Sequence, residues 1–411
     1  MKRIPVVFLA LLLALALLLC GCLGPAPLHD PYRQNVFPAA NPEDAKTDSI
    51  RGVWISIYEL PKTKGVSKRE YEAQADTMFR NLAENGFNTA FVHVRAFADA
   101  IYPSAFFPFS ALLSGTQGIS PDYDPLCILL EAAHCHGIAF HAWINPFRVA
   151  HSTDVSQLAA DNPARVWLES ENPGTRSLVA VLENGIYFNP AATRVHKLVL
   201  DGVREIMRNY KVDGIHIDDY FYPTTDPAID AREYAAYQKA GGRLPLDTWR
   251  REMISSFVAG LYDTVKICDP KAVFSISPAG DIARNITEFY ADVEEWTRTP
   301  GYADMILPQL YYGFEHQFFP FKQVARQWEA LLRLPEQKAV WGLAAYKTGQ
   351  PDAYAGSGSL EWVKHPDVIA RQIKFLNTLS KNDGFALFSY NSLFGEDVPK
   401  AIQDLLAQLR K

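Results

Sequence analysis

From Arg51 to the C-terminus the chain repeats one rhythm, a short β-rich apolar run followed by a longer stretch with helical spacing. No other feature of the sequence restricts the fold so strongly. Parallel strands need a crossover between them, and a helix supplies it, so this alternation builds a parallel sheet faced with helices. Eight runs read as strands: residues 52–56, 89–95, 139–145, 214–218, 273–277, 305–311, 340–346 and 384–390. Helical runs lie between them at 68–84, 125–135, 194–209, 246–267, 321–332 and 366–379, with another at 398–409 and a less regular one at 290–297. In the first of these, Tyr71, Ala75, Met78, Phe79 and Leu82 fall on one helical face. Eight βα units predict an α/β protein, a (β/α)8 TIM barrel with extended βα loops over residues 50–411. The rival is an open doubly wound sheet. It places a glycine-rich phosphate turn after its first strand, and Ser56-Ile57-Tyr58-Glu59-Leu60 is not one. The connections 96–124 and 146–192 are long, and barrels carry their chemistry on this face.

The N-terminus reads as an export signal. Lys2 and Arg3 precede an unbroken apolar run over 6–19, too short to span a bilayer comfortably. Leu19-Cys20-Gly21-Cys22 follows, with Leu and Gly at the positions that resemble a bacterial lipobox. Residues 1–22 are therefore expected to be a lipoprotein signal peptide, with lipidation at Cys22. Residues 23–49 are expected to be a flexible tether, rich in Pro, Ala, Asn and Asp and without a period. The expected location is exported and lipid-anchored to the cell envelope. Leu23, by resemblance to Gram-negative lipoproteins, implies the outer membrane, facing the periplasm, in such a host. The 40 basic residues, two of which leave with the signal, are outnumbered by 46 acidic ones. With no basic run, a nucleic-acid partner is not expected. Cys127 and Cys135 sit about 12 Å apart along one helix, too far for a disulfide. With Cys268 they read as buried apolar residues.

In a barrel, polar residues at the C-terminal strand ends are the functional candidates. The strongest stretch is Asp213-Gly214-Ile215-His216-Ile217-Asp218-Asp219-Tyr220-Phe221-Tyr222-Pro223. Side chains alternate along a strand, so Ile215 and Ile217 face the helices while His216 and Asp218 face inward, with Asp219 on the turn above. Adjacent carboxylates raise each other's pKa, which suits one of them to act as a general acid while the other stays ionised. Asp218 and Asp219 are the catalytic candidates. The other strand ends supply Arg95, His141, Trp143, Asn145, Arg148, Gln309, Tyr311, Tyr390 and Asn391. Of these Arg95, His141, Asn145, Gln309, Tyr311, Tyr390 and Asn391, together with His216 and Tyr220, are read as substrate-binding. Arg95 suits a carboxylate, the amides suit sugar hydroxyls or an acetamido group, and the aromatic rings suit sugar faces. No G-x-S-x-G elbow, P-loop or zinc-type cysteine–histidine spacing is present, so no cofactor and no metal is expected.

These residues resemble a family. The opening Arg51-Gly52-Val53-Trp54, Phe91-Val92-His93-Val94-Arg95, Ala142-Trp143-Ile144-Asn145-Pro146 and the stretch from Gly214 to Pro223 are similar to the bacterial glycosyl-hydrolase-like family 10. The likeness runs from about residue 48 to the C-terminus. It implies a (β/α)8 barrel, often on exported lipoproteins, and a glycosidase of the cell envelope. The implied substrate is a polysaccharide, the peptidoglycan glycan strand of alternating GlcNAc and MurNAc already stripped of peptide. Xylanase-type barrels carry a glutamate at the end of strand seven, but Leu343-Ala344-Ala345-Tyr346 has no carboxylate there. Their two-glutamate mechanism does not transfer.

The resemblance of Asp218-Asp219 to the paired carboxylates of substrate-assisted hexosaminidases implies another route. Asp218 would orient the acetamido group and Asp219 would protonate the leaving oxygen, with Tyr311 or Tyr390 supporting the acetamido oxygen. A conventional pair, with Asp281 or Glu315 as the acid, is the alternative. Two other classes stay open on sequence alone: a metal-dependent hydrolase or deacetylase using His93, His141 and His216, and a glycan-binding lipoprotein without turnover.

Overall fold

A computed structural model describes residues 49–410. The expected signal peptide, Cys22 and the tether up to residue 48 lie outside the described residues. In chain order the strands are β1 (Ile50–Ile55), β2 (Thr89–Arg95), β3 (Ala139–Ile144), β4 (Arg148–Ala150), β5 (Val179–Leu182), β6 (Gly185–Phe188), β7 (Gly214–Ile217), β8 (Val273–Ile276), β9 (Met305–Ile306), β10 (Lys338–Leu343) and β11 (Gly384–Phe388). Eight of them close a barrel in the order β1-β2-β3-β7-β8-β9-β10-β11, with β11 returning to β1. Every neighbouring pair is parallel. The fold is a (β/α)8 TIM barrel.

Strand alternation divides the core into two. Val53, Ile55, Ala90, Val92, Ala142, Ile144, Ile215 and Ile217 face outward into the large apolar layer beneath the helices. Trp54, Phe91, Trp143, Met305, Leu307, Val340 and Ala386 face inward and fill the cylinder. The large rings fit because small residues stand opposite them. A Cβ on Gly52 would sit 2.8 Å from the Phe91 ring, and one on Gly342 would sit 3.1 Å from the Trp54 ring. The cylinder is thus a packed core, and ligands have room only above it.

The helices follow the predicted faces. Lys68–Glu84 begins with a capping box between Ser67 and Glu70 and buries Tyr71, Ala75, Met78, Phe79 and Leu82. Three details differ from expectation. The sixth barrel strand is only Met305–Ile306 rather than 305–311, because Pro308 has no N–H to continue the ladder. Gln309 still pairs, as isolated bridges to Ala279 and Gly342. The connection 146–192 holds an antiparallel sheet in the order β4-β6-β5, with Glu183-Asn184 as the two-residue turn between β5 and β6 and Gly185 opening β6. Cys127, Cys135 and Cys268 are half-buried rather than buried.

Candidate active site

Asp218 lies just beyond the last residue of β7 and is 3% exposed. Inward alternation from His216 delivers it to the centre of the barrel top. Its oxygens meet neutral donors only: Trp143 Nε1 at 3.1 Å, the Tyr220 backbone N–H at 3.3 Å, and Asn145 Nδ2 at 3.5 Å. No cation forms an ion pair with either Asp218 or Asp219 among the described residues. Burial, and then the neighbouring charge of Asp219, push the Asp218 carboxyl up to about 8, against the donors and Arg148. Asp219 is half-buried on the turn above. Burial raises its carboxyl too, opposed by the Gln309 side chain and by Arg284 and Arg148. Both members of this adjacent pair are pushed upward, because burial and a neighbouring like charge disfavour ionising both at once.

The rim around this pair comes from several strands. Gln309 donates from Nε2 to the Ser277 carbonyl oxygen at 2.9 Å while serving Asp219. Tyr311 faces the pair, and burial holds its hydroxyl well above the usual tyrosine range. Its ring packs against Tyr346 (6.1 Å between centroids) and Phe388 (5.9 Å). Asn145 also anchors the next turn, its Oδ1 accepting from the Arg148 backbone at 3.0 Å. Arg148 lies over the Tyr220 ring at 4.4 Å. Tyr220 itself is 47% exposed, an open aromatic face beside the carboxylates. Asn391 is exposed, and its backbone N–H is held by Glu59 at 2.7 Å.

Four residues expected to bind substrate stand elsewhere. His216 is fully buried one layer down. Trp54 Nε1 donates to its Nε2 at 3.0 Å, and Ser275 and Ser277 occupy the ring nitrogens at 2.8 and 3.0 Å. With both nitrogens taken it supports the floor and has no free bond for a ligand. His141 pairs in register with Phe91 and Gly214, in the lower half of the barrel. Burial lowers its ring to about 4, so it packs there neutral.

Arg95 follows a register shift in the β2–β3 pairing, which breaks the inward alternation of Phe91 and His93. Its guanidinium lies over the Phe107 ring at 4.6 Å, and Phe107 in turn lies against Gly202 in the outer helix layer. Tyr390 begins a helical turn after β11 ends, and its hydroxyl accepts from Asn81 in the first barrel helix at 3.0 Å.

The alternative acids are otherwise engaged or remote. Asp281 caps the helix Ile282–Thr287 through the backbone of Ala283 and Arg284. Glu315 is exposed. Among the described residues no three His, Cys, Asp or Glu side chains converge as a metal-ligand set. Sequence position alone missed Tyr58, Phe97 and His151, which line the rim beside Arg148. They sit on loops, where alternation gives no direction.

The family model described as Glycosyl hydrolase-like 10 matches residues 49–357. The chain belongs to that family. It is a glycoside hydrolase. Glycosyl hydrolase YngK of Bacillus subtilis (strain 168) is 30% identical over 386 residues, covering 89% of this chain and 72% of that one. Glycosyl hydrolase DigH of Escherichia coli (strain K12) is 29% identical over 377 residues, covering 83% of each. Among solved structures, the catalytic domain of β-amylase from Paenibacillus polymyxa superposes with a TM-score of 0.56 at 11% identity, covering 89% of this chain and 98% of that one. The GH20 exo-β-N-acetylglucosaminidase from Vibrio harveyi gives a TM-score of 0.53 at 12% identity, over 88% and 54%. At such identity these two speak for the barrel alone.

Proposed function

We propose that this family 10 glycosidase cleaves peptide-free peptidoglycan strands, with Asp218 and Asp219 as its catalytic pair. The observation that carries the reading is the adjacent, largely buried doublet itself, raised in pKa, without an ion-pair partner and set beneath a rim of amides and aromatic rings. Asp219 is the more accessible member and delivers the proton to the leaving oxygen. Asp218, held by Trp143 and the Tyr220 backbone, orients the 2-acetamido group so that its carbonyl oxygen attacks the anomeric carbon. Tyr311 and Gln309 support that group. The leaving sugar takes the proton, water then opens the cyclic intermediate, and Asp219 recovers its proton as the base.

Purified strands lacking peptide, incubated with the wild-type protein, should yield new reducing ends. Asp218→Asn and Asp219→Asn should each abolish most of that yield. An aryl glycoside with a strongly acidic leaving group separates the roles, because it needs no proton. Asp219→Asn should keep most of its kcat/KM on it, which reports the bond-breaking step alone, and Asp218→Asn should not. Full activity of both variants on strands would end this reading.

The anchor belongs to the same proposal. Lys2, Arg3, the apolar run and the lipobox-like residues before Cys22 support an exported lipoprotein tethered to the envelope, within reach of its substrate. Labelled palmitate incorporated by the wild type and lost in Cys22→Ala is the expected result.

A further inference from the structure

Arg148 stands out among the cations near the site. It opens β4, immediately after the turn that Asn145 anchors. Its guanidinium is held between two rings, Tyr220 at 4.4 Å and Phe97 at 5.4 Å. Nη2 donates to the His151 ring at 2.8 Å, and His151 Nε2 lies 3.0 Å from the Tyr58 hydroxyl. Burial and Arg148 itself hold His151 below the usual histidine range, so this neighbour accepts as a neutral ring. No carboxylate forms an ion pair with Arg148 among the described residues, although Asp218 and Asp219 feel its charge. A planar fork packed against two rings, with Nε and Nη1 uncommitted and no acidic partner, is prepared for an anion that the protein does not supply.

Resting on the strand substrate proposed above, we infer that Arg148 reads the free carboxylate of the acidic sugar. Peptide stems are joined to the strand through that carboxyl group as an amide. A stripped strand therefore presents a carboxylate on every second sugar where an intact strand presents none. Arg148 would be the residue by which the enzyme distinguishes the two, with Tyr220 and Phe97 fixing its plane and Tyr58 and His151 its reach.

The experiment is a cycle between enzyme and substrate. Native peptide-free strands are compared with strands whose carboxylates have been converted to amides, on wild type and on Arg148→Met. Wild type should lose roughly 10- to 150-fold in kcat/KM on amidated strands, the range for a hydrogen bond to a charged group. Arg148→Met should show a similar loss on native strands and no further loss on amidated ones. Arg148→Lys keeps a charge near the doublet without the fork, so it should keep the wild-type pH profile while losing most of the preference. If Arg148→Met loses equally on both strands, Arg148 acts only through Asp218, Asp219 or folding, and this inference falls alone. If the wild type cleaves neither strand, the substrate reading falls and takes this one with it.

Discussion

Asp218 and Asp230 both follow β7, both are buried, and they are built on opposite rules. Asp230 receives Arg250 as a two-pronged ion pair, Nε and Nη2 each at 2.7 Å, with the Tyr222 hydroxyl at 2.8 Å. Both partners are fully enclosed. Arg250 also donates to the Thr225 and Asp226 carbonyl oxygens and to Tyr290, so it binds down the loop that leaves the doublet. Asp218 receives no cation, only an indole, an amide and a backbone N–H, and beside it lies a second carboxylate. A buried charge with a matched partner fixes structure. A buried carboxyl without one is kept near its own titration point, ready to move a proton. One loop thus carries its scaffold at one end and its proposed chemistry at the other.

Exchanging the roles breaks the comparison most visibly. Asp219→Asn should lower kcat on glycan strands by roughly 10²- to 10⁴-fold, the usual weight of a general acid, while urea unfolding stays close to wild type. Arg250→Met should do the reverse. It strands Asp230 without its partner and should cost about 3–5 kcal/mol of stability, read as a lower urea midpoint. The double variant Asp230→Asn/Arg250→Met should recover part of that loss. Large destabilisation by Asp219→Asn, or none by Arg250→Met, would show that the two sites are not divided in this way.

The barrel was legible because its rule is periodic. Alternation placed Ile215 and Ile217 outward and His216 and Asp218 inward, and the structure has them so. The same rule failed where the backbone breaks period. The register shift before Arg95 turned that side chain to the helix layer. The end of β11 at Phe388 released Tyr390 toward Asn81. Depth along a strand was also hidden, since a histidine in the lower half, such as His141, looks the same in sequence as one at the rim. The β4-β6-β5 sheet was missed because its strands are short, although Asn184-Gly185 is a hairpin signal. Loop residues such as Phe97 and Tyr58 carry no period and could be found only in three dimensions.

Proton linkage sharpens the contrast by a smaller amount. The Asp218 carboxyl is raised in the folded protein, so the native state holds a proton that the unfolded chain releases near pH 4. Its contribution to stability is complete below that pH and is lost as pH rises toward about 8. The slope from one such proton is at most about 1.4 kcal/mol per pH unit. Asp218→Asn should therefore flatten the fall in stability between pH 5 and pH 8, as followed by urea titration. An unchanged slope would mean that the doublet is already fully ionised at neutral pH.

The smallest effect tests how finely the doublet is set. The Gln309 side chain opposes the rise of the Asp219 carboxyl while its Nε2 is anchored on the Ser277 carbonyl oxygen. Gln309→Leu removes a donor to the charged form, so Asp219 should hold its proton to higher pH. The alkaline limb of kcat/KM should move upward, while loss of the amide's support to the acetamido group should lower the plateau rate by roughly 3- to 10-fold, the weight of one ordinary hydrogen bond. A downward move would mean that Gln309 serves the protonated form and that the proton sits on Asp219 at rest. That outcome would agree with Asp219 as the proton donor and leave Asp218 ionised to orient the acetamido group, without touching the scaffold built on Asp230 and Arg250.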